Sequence, residues 1–230
     1  MAEEKSDAEA KLLPREPARE RGRVRYDSLL EAATIVLRDS EDVRGISLEQ
    51  IAKVAGVTSG SAYHFFPSIE ALYVALMRKY REHLLGSAEA MEVPPGTTDW
   101  QEVLRYAFGW GRELFNGDVT ALRLFYSDDI PRVVRTIDRD LNRGLARIIE
   151  SGLRGYFLIP DIPLLTWRIG TAIDLQDAVW AKSYNSIGTI DEFHFEEGLR
   201  AAISYLRTTL PGQLALAPPA DEVRPPTESS

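Results

Sequence analysis

The sequence has no cysteine and only three histidines, so the usual ligands and nucleophiles of catalytic and metal sites are scarce. Without cysteine the chain can form neither a disulfide nor a thiolate. His64, His83 and His194 lie far apart in the sequence, so a metal cluster would depend mainly on carboxylates. We therefore expect no metal, no cofactor and no metalloenzyme.

Long apolar runs are also lacking, because charge interrupts each of them before the roughly 18 residues that a membrane-spanning helix needs. The first residues, MAEEKSDAEAK, are acidic and polar, which is unlike a signal peptide. These features predict a cytoplasmic protein with no membrane partner. A hydrophobic content of 44% is sufficient for a buried core.

The chain lacks a net positive charge, since its formal charge is -8. The acidity lies mainly beyond residue 85, however, whereas residues 15–85 carry 11 Lys/Arg and 10 Asp/Glu. Five arginines, the last two being Arg23 and Arg25, stand between residues 15 and 25. They could form an electrostatic footprint for phosphate, or simply a solvated face or a disordered arm.

The remaining pattern is one helix after another, with no period-two alternation long enough for a sheet and no internal repeat. It predicts an all-α fold of about nine helices in two domains. A Pro-Pro-Gly break near residue 95 separates a domain over residues 21–85 from a larger one over 98–210. Residues 1–20 and the proline-rich tail 211–230 are expected to be disordered.

The segment ISLEQIAKVAGVTSGSAYHFF, residues 46–66, carries the clearest motif. Ser47 and Gln50 have the spacing of a capping box that begins a short helix. Gly56 allows a tight turn, and Thr58 is a good N-cap for a second short helix. Two short helices joined in this way predict a helix-turn-helix, with the start of the second helix presented to the major groove of DNA.

The expected DNA contacts are small polar residues of the second helix, its flanks and the preceding arginines. They are Arg23, Arg25, Ser47, Thr58, Ser59, Gly60, Ser61, Ala62, Tyr63 and His64. Ser59 and Ser61 can donate to bases or phosphates, whereas Tyr63 and His64 suit the phosphate backbone. Two have simpler interpretations, since Thr58 could be only a cap and Tyr63 only an aromatic residue at the core edge.

Over about residues 23–85 the chain resembles the tetracycline-repressor (TetR) family. The resemblance rests on LLEAATIVL and on IAKVAGVTSGSAYHFFPSIEALY, which contains the ordered pattern I-A-x-x-A-G-V-[ST]-x-G-x-x-Y-x-x-F. Ile69 is a departure, because the family usually has a phosphate-binding lysine there. The resemblance implies a homodimer formed through the last two helices. It also implies a repressor that a small-molecule effector of unknown identity releases from a palindromic operator in double-stranded DNA.

The expected ligand site consists of aromatic side chains and two carboxylates in the larger domain. The residues are Trp110, Phe125, Tyr126, Trp167, Asp174, Asp177 and Trp180. Asp174 and Asp177 share one side of an otherwise apolar predicted helix over residues 163–184. Because an unpaired buried carboxylate costs several kcal/mol, these groups should meet solvent, an arginine such as Arg168, or a cationic or hydrogen-bond-donating ligand. A salt bridge at a rim or interface is the alternative, as core packing is for the aromatic residues.

Two other functional classes remain open. An enzyme could use Asp174, Asp177 and His194 for acid-base chemistry, but no nucleophile elbow, phosphate loop or metal-ligand spacing accompanies them, so we expect none. A DNA-binding accessory dimer without a small-molecule ligand is the second class. A closed core filled by side chains in the larger domain would indicate that class.

Overall fold

The computed structural model describes residues 13–131, 134 and 140–218. Within these residues the chain forms nine helices, which confirms the predicted all-α fold. They are α1 (Glu20–Asp39), α2 (Leu48–Val54), α3 (Ser59–Phe65), α4 (Ile69–Glu89), α5 (Trp100–Asn116), α6 (Val119–Tyr126), α7 (Asp140–Tyr156), α8 (Leu165–Ile187) and α9 (Glu192–Leu206). In the same residues, no helix is long and apolar enough to cross a membrane.

Local signals build the helix-turn-helix as expected. The backbone N–H of Gln50 donates to Ser47 Oγ at 3.2 Å and the Gln50 side chain accepts from the Ser47 backbone at 3.3 Å, which completes the capping box at α2. Gly56 has a φ of 67°, a conformation that favours glycine. Thr58 Oγ1 then accepts the Ser61 N–H at 3.2 Å and begins α3.

Two hydrophobic cores meet along α4. Residues such as Leu72 and Leu76 are fully buried with α1, α2 and α3, whereas Leu84 is buried with the helices of the larger domain. Tyr80 packs against both cores. One continuous helix of 21 residues therefore connects them.

Helix α6 also joins the two cores. Leu124 belongs to the core around α1, while Tyr126 belongs to the core of the larger domain. The guanidinium of Arg123 donates to the carbonyl oxygens of Leu37 and Ser40, at the carboxyl end of α1. The short helix thus holds the end of α1, whose last carbonyls have no partner within that helix.

The described parts of the two chain ends pack against the body of the protein, which differs from the predicted disorder over 1–20 and 211–230. Near the start, the Arg15 N–H donates to the Phe65 carbonyl at 2.8 Å. In the tail, Trp100 Nε1 donates to the Pro211 carbonyl at 2.9 Å, and Phe157 forms an isolated antiparallel bridge with Leu216. Residues 1–12 and 219–230 lie outside the described residues. The physical reason for the difference is that these extended segments form hydrogen bonds with residues that lie far away in the sequence.

Candidate DNA-binding surface and ligand cavity

Helix α3 divides sharply into a buried and an exposed side. Ser59, Gly60, Tyr63 and His64 are exposed, so the structure places these predicted DNA contacts together on one surface. Ala62 is 0% exposed and packs in the N-terminal core. The prediction that Ala62 contacts DNA is therefore wrong. Its place on the helix, three residues before buried Phe65, turns it toward the core.

The predicted serine and threonine contacts lie at helix starts. Ser47 and Thr58 already accept the capping hydrogen bonds of α2 and α3. A hydroxyl that accepts one bond can still donate its own hydrogen, so Ser47 and Thr58 can serve both as caps and as donors. Ser61 is half-buried in the first turn of α3.

Tyr63 makes a contact that sequence reasoning missed. Its hydroxyl donates to Glu49 Oε1 on α2 at 2.6 Å, and both residues are exposed. This hydrogen bond holds the pKa of Glu49 below its usual value and raises the pKa of Tyr63. A carboxylate therefore sits beside a hydroxyl that is expected to meet phosphate. Nothing in the local sequence around either residue indicates the pair.

Two arginines and one isoleucine that flank this surface also have clear positions in the structure. Arg23 and Arg25 are exposed on α1. Ile69, in the first turn of α4, packs against the N-terminal core. Its side chain therefore takes part in packing at the position where the family's usual lysine would offer a charge.

Two neighbouring cavities occupy the larger domain. The outer one, of about 1080 Å³, lies between α6, α7 and α8, and the inner one, of about 60 Å³, is largely apolar. Phe125, Trp167 and Asp174 line the outer cavity. Trp110 and Trp180 line the inner cavity. The remaining two predicted ligand residues line both cavities, and they are Tyr126 and Asp177.

Asp177 is the polar centre of these cavities. Tyr126 donates its hydroxyl hydrogen to Asp177 Oδ1 at 3.1 Å, and Asn142 Nδ2 lies 3.0 Å from Asp177 Oδ2 and 2.7 Å from Asp174 Oδ1. Burial raises the pKa of Asp177 to about 6, and these two hydrogen bonds oppose that rise. Arg168 instead donates to the Pro163 carbonyl and to Thr209 Oγ1. The Asp177 carboxylate therefore faces the cavities with neutral hydrogen-bond donors at its oxygens.

The aromatic residues differ strongly in exposure. Trp180 is 2% exposed, and among the described residues its Nε1 has no hydrogen-bond partner. Trp167 is 63% exposed, at the outer cavity. A buried N–H without a partner is uncommon in folded proteins, so Trp180 offers a free donor at the inner cavity. Neither this donor nor the role of Asn142 has a distinctive signal in the sequence.

His194 is not assembled with the two aspartates. Its Nδ1 lies 2.8 Å from Asp191, the N-cap of its own helix, and neither of the two cavities is lined by His194. The acid-base group considered for an enzyme is thus divided between separate places in the fold.

An all-helical chain with a capped helix-turn-helix beside a larger helical domain has the architecture of a helix-turn-helix transcription regulator. Residues 29–76 match the family model described as "Bacterial regulatory proteins, tetR family". This match covers α2, α3 and parts of α1 and α4, so this segment of the chain is similar to the tetR family, and solved structures of that family share the overall fold.

Three solved structures illustrate the likeness of fold. A TetR regulator from Rhodococcus sp. RHA1 has a TM-score of 0.61 and 17% identity, over 81% of this chain and 98% of that one. A TetR-family regulator from Streptomyces coelicolor has a TM-score of 0.60 and 19% identity, over 81% and 99%. The repressor FadR of Thermus thermophilus, solved with lauroyl-CoA, has a TM-score of 0.52 and 20% identity, over 79% and 94%.

Curated relatives resemble only part of the chain. Nucleoid occlusion factor SlmA from Actinobacillus pleuropneumoniae is 28% identical over 74 residues. The match covers 32% of this chain and spans 37% of the relative's length. It therefore carries no information about the rest of either protein.

Proposed function

We propose that this protein is a homodimeric DNA-binding regulator that a cationic or hydrogen-bond-donating small molecule releases from its operator. The observation that supports the proposed ligand response is the position of Asp177. Its carboxylate lies between two cavities, and its hydrogen-bond partners are neutral donors. The exposed side of α3 supports DNA recognition. Both parts can be tested separately.

The proposed DNA contacts are the exposed residues around α3. Ser59, Gly60, Ser61, Tyr63 and His64 would approach the major groove, while buried Phe65 anchors the helix to the core. The hydroxyls of Ser47 and Thr58, and the guanidinium groups of Arg23 and Arg25, would contact the phosphate backbone. In a dimer, two such surfaces would read half-sites about 34 Å apart.

Exposed apolar side chains on the last two helices support a homodimer. Helices α8 and α9 pack along each other, yet Leu175 remains 39% exposed and Phe193 66% exposed. Large apolar side chains left exposed on neighbouring helices can mark a contact with a partner. A second copy of the same pair of helices would complete a four-helix interface.

The proposed ligand has a positively charged or donating group and an apolar body. Asp177 would accept the donor, and the aromatic walls, with Trp110 and Trp180 inside and Phe125 outside, would contact the apolar part. Lauroyl-CoA, which FadR was solved with, carries phosphates. Arg143 and Arg147 also line the outer cavity, but an anionic group placed at Asp177 itself would be repelled by the ionised carboxylate, so we propose a different ligand class for this protein.

Helix α6 provides a route from the cavity to the DNA-binding surface. Tyr126 donates a hydrogen bond to Asp177 at one end of the helix. Arg123, one turn earlier, donates hydrogen bonds to carbonyl oxygens at the carboxyl end of α1. A ligand that takes the place of Tyr126 at Asp177 would favour another position of α6 and hence of α1. Such a shift needs different ligand affinities for the two arrangements.

An accessory DNA-binding dimer without a ligand is the second proposal, motivated by a relative whose printed name is nucleoid occlusion factor and not ligand-responsive regulator. The two proposals differ in what the larger domain should look like. A cavity of about 1080 Å³ beside a partly buried carboxylate supports ligand sensing, since a purely structural domain would be filled by side chains.

The deciding experiment selects genomic fragments with the purified protein and then measures release of the bound fragment. Dodecylamine and dodecanoate are matched probes, because they share an apolar chain and carry opposite charges. We expect release by dodecylamine alone. Failure to select any specific fragment would refute the DNA-binding proposal, whereas selection with no release by either probe would favour the accessory dimer.

Replacing Glu49 with Gln is expected to strengthen DNA binding about 3- to 10-fold at low salt, because it removes a negative charge beside the phosphates. Tyr63→Phe should weaken binding by about 10-fold, since a phosphate contact by the hydroxyl is lost. Fluorescence anisotropy with a labelled operator measures both. Weaker binding by Glu49→Gln would contradict this interpretation and point instead to a cytosine contact by the carboxylate.

A further inference from the structure

We propose that residues 13–19, termed the arm, form a second DNA contact in which the Arg15 guanidinium binds a backbone phosphate beside α3. This inference rests on the proposed DNA binding and adds a contact to it. The arm lies next to the carboxyl end of α3, at the edge of the surface that carries Tyr63 and His64. The phosphate contact of the arm should therefore add to the DNA affinity that α3 provides.

The arm is held in place by the end of α3. The backbone N–H of Arg15 donates to the Phe65 carbonyl at 2.8 Å, and Arg15 Nη1 lies 3.4 Å from the His64 carbonyl oxygen. Carbonyls at the end of a helix lack partners within that helix, so this bond satisfies one of them. The contact with His64 is long and exposed, which leaves the guanidinium available for a stronger anionic partner such as phosphate.

Gly22 lies where the arm packs against α1. A Cβ atom at Gly22 would lie 3.2 Å from Pro17 Cβ and 3.7 Å from Phe65 Cζ, so alanine would move Pro17 only slightly, whereas a longer side chain would displace the arm. Glycine inside a helix costs about 0.5–1 kcal/mol relative to alanine. The glycine in α1 therefore permits close packing of the arm at some expense of helix stability.

Charge and position favour phosphate as the partner. Arg15 and Arg19 are exposed, and Arg23 and Arg25 continue the cationic surface along α1. In a helix-turn-helix the start of the second helix reaches the bases, so the opposite end, where the arm lies, faces the sugar-phosphate backbone. Ile69 offers no cation on this flank, and the arm supplies one.

The test compares three variants of the full-length protein in DNA-binding titrations across salt concentrations. Arg15→Gln removes the charge, and Gly22→Met displaces the arm without changing charge. Arg207→Gln, an exposed position after α9, is the control. Arg15→Gln should weaken binding about 3- to 10-fold at low salt for every duplex sequence and reduce the slope of log K against log salt by about 1.

Gly22→Met separates a DNA contact from a structural role. Methionine favours a helix more than glycine does, so the thermal midpoint should stay near that of the wild type, yet DNA binding should weaken as it does in Arg15→Gln. An unchanged salt slope in Arg15→Gln, a loss confined to particular sequences, or normal binding by Gly22→Met would each overturn the inference alone. A wild-type protein that binds no duplex would overturn the proposed function together with it.

Discussion

Replacing Asp177 with Asn is expected to raise the free energy of unfolding at pH 7.5 by up to about 3 kcal/mol and to abolish release from DNA by dodecylamine. Burial raises the pKa of Asp177 from 3.8 to about 6. Each pKa unit corresponds to about 1.4 kcal/mol of interaction with one protonation state. The ionised carboxylate therefore destabilises the folded protein at neutral pH, and asparagine removes that cost while keeping the size of the side chain.

The pH dependence follows from the sign of this shift. Between about pH 4 and pH 6 the unfolded chain releases the Asp177 proton before the folded chain does, so wild-type stability falls as the pH rises through this window. Asp177→Asn lacks that fall. Its advantage in thermal denaturation should thus be small at pH 4, grow toward pH 6 and remain constant above it.

Asp174→Asn is the matched control for this prediction. Asp174 also accepts from Asn142, but it is exposed, so its replacement should change stability by less than about 0.5 kcal/mol. The interpretation fails if Asp177→Asn is less stable than the wild type at pH 7.5. It also fails if the variant still responds to dodecylamine, since the carboxylate is then not the group that binds the probe.

Replacing Arg123 with Gln is expected to uncouple the cavity from the DNA-binding surface. The half-buried guanidinium donates to two carbonyl oxygens at the end of α1. Hydrogen bonds to charged groups contribute about 1.5–3 kcal/mol each. We expect a loss of about 2–3 kcal/mol in stability, because part of the bonding is replaced by the amide. Binding of dodecylamine, followed by tryptophan fluorescence, should be nearly unchanged, while its effect on DNA affinity falls at least 10-fold.

Arg38→Gln provides a charge-matched control at the same end of α1. Arg38 pairs with neighbouring Asp39 at 2.8 Å, and both side chains are more than half exposed. Such surface pairs contribute little to stability, so stability and coupling should stay near the wild type. Equal loss of coupling in both variants would show that the charge near α1, rather than the bonds of Arg123, matters.

The part of the candidate sites that could be predicted from sequence depends on short-range signals. Ser47, Gly56 and Thr58 each act within three or four residues, and the structure shows the expected caps and turn. Ala62 lies among the small residues expected to approach the major groove, but it is buried, and helical periodicity alone indicates that one side of α3 must be buried. The Glu49–Tyr63 hydrogen bond joins two helices, and no periodicity within one helix reveals it.

The sequence by itself determined the helical fold, the helix-turn-helix and the presence of two aspartates on one side of α8, because capping, turn formation and helical period are local properties. Only the tertiary structure decided that Asp177 lies between two cavities, that Arg123 holds the end of α1 and that the arm packs against α3. These features depend on contacts between residues from about 50 to 86 positions apart. Such contacts arise from the packing of whole helices, which determines burial and hydrogen-bond partners together.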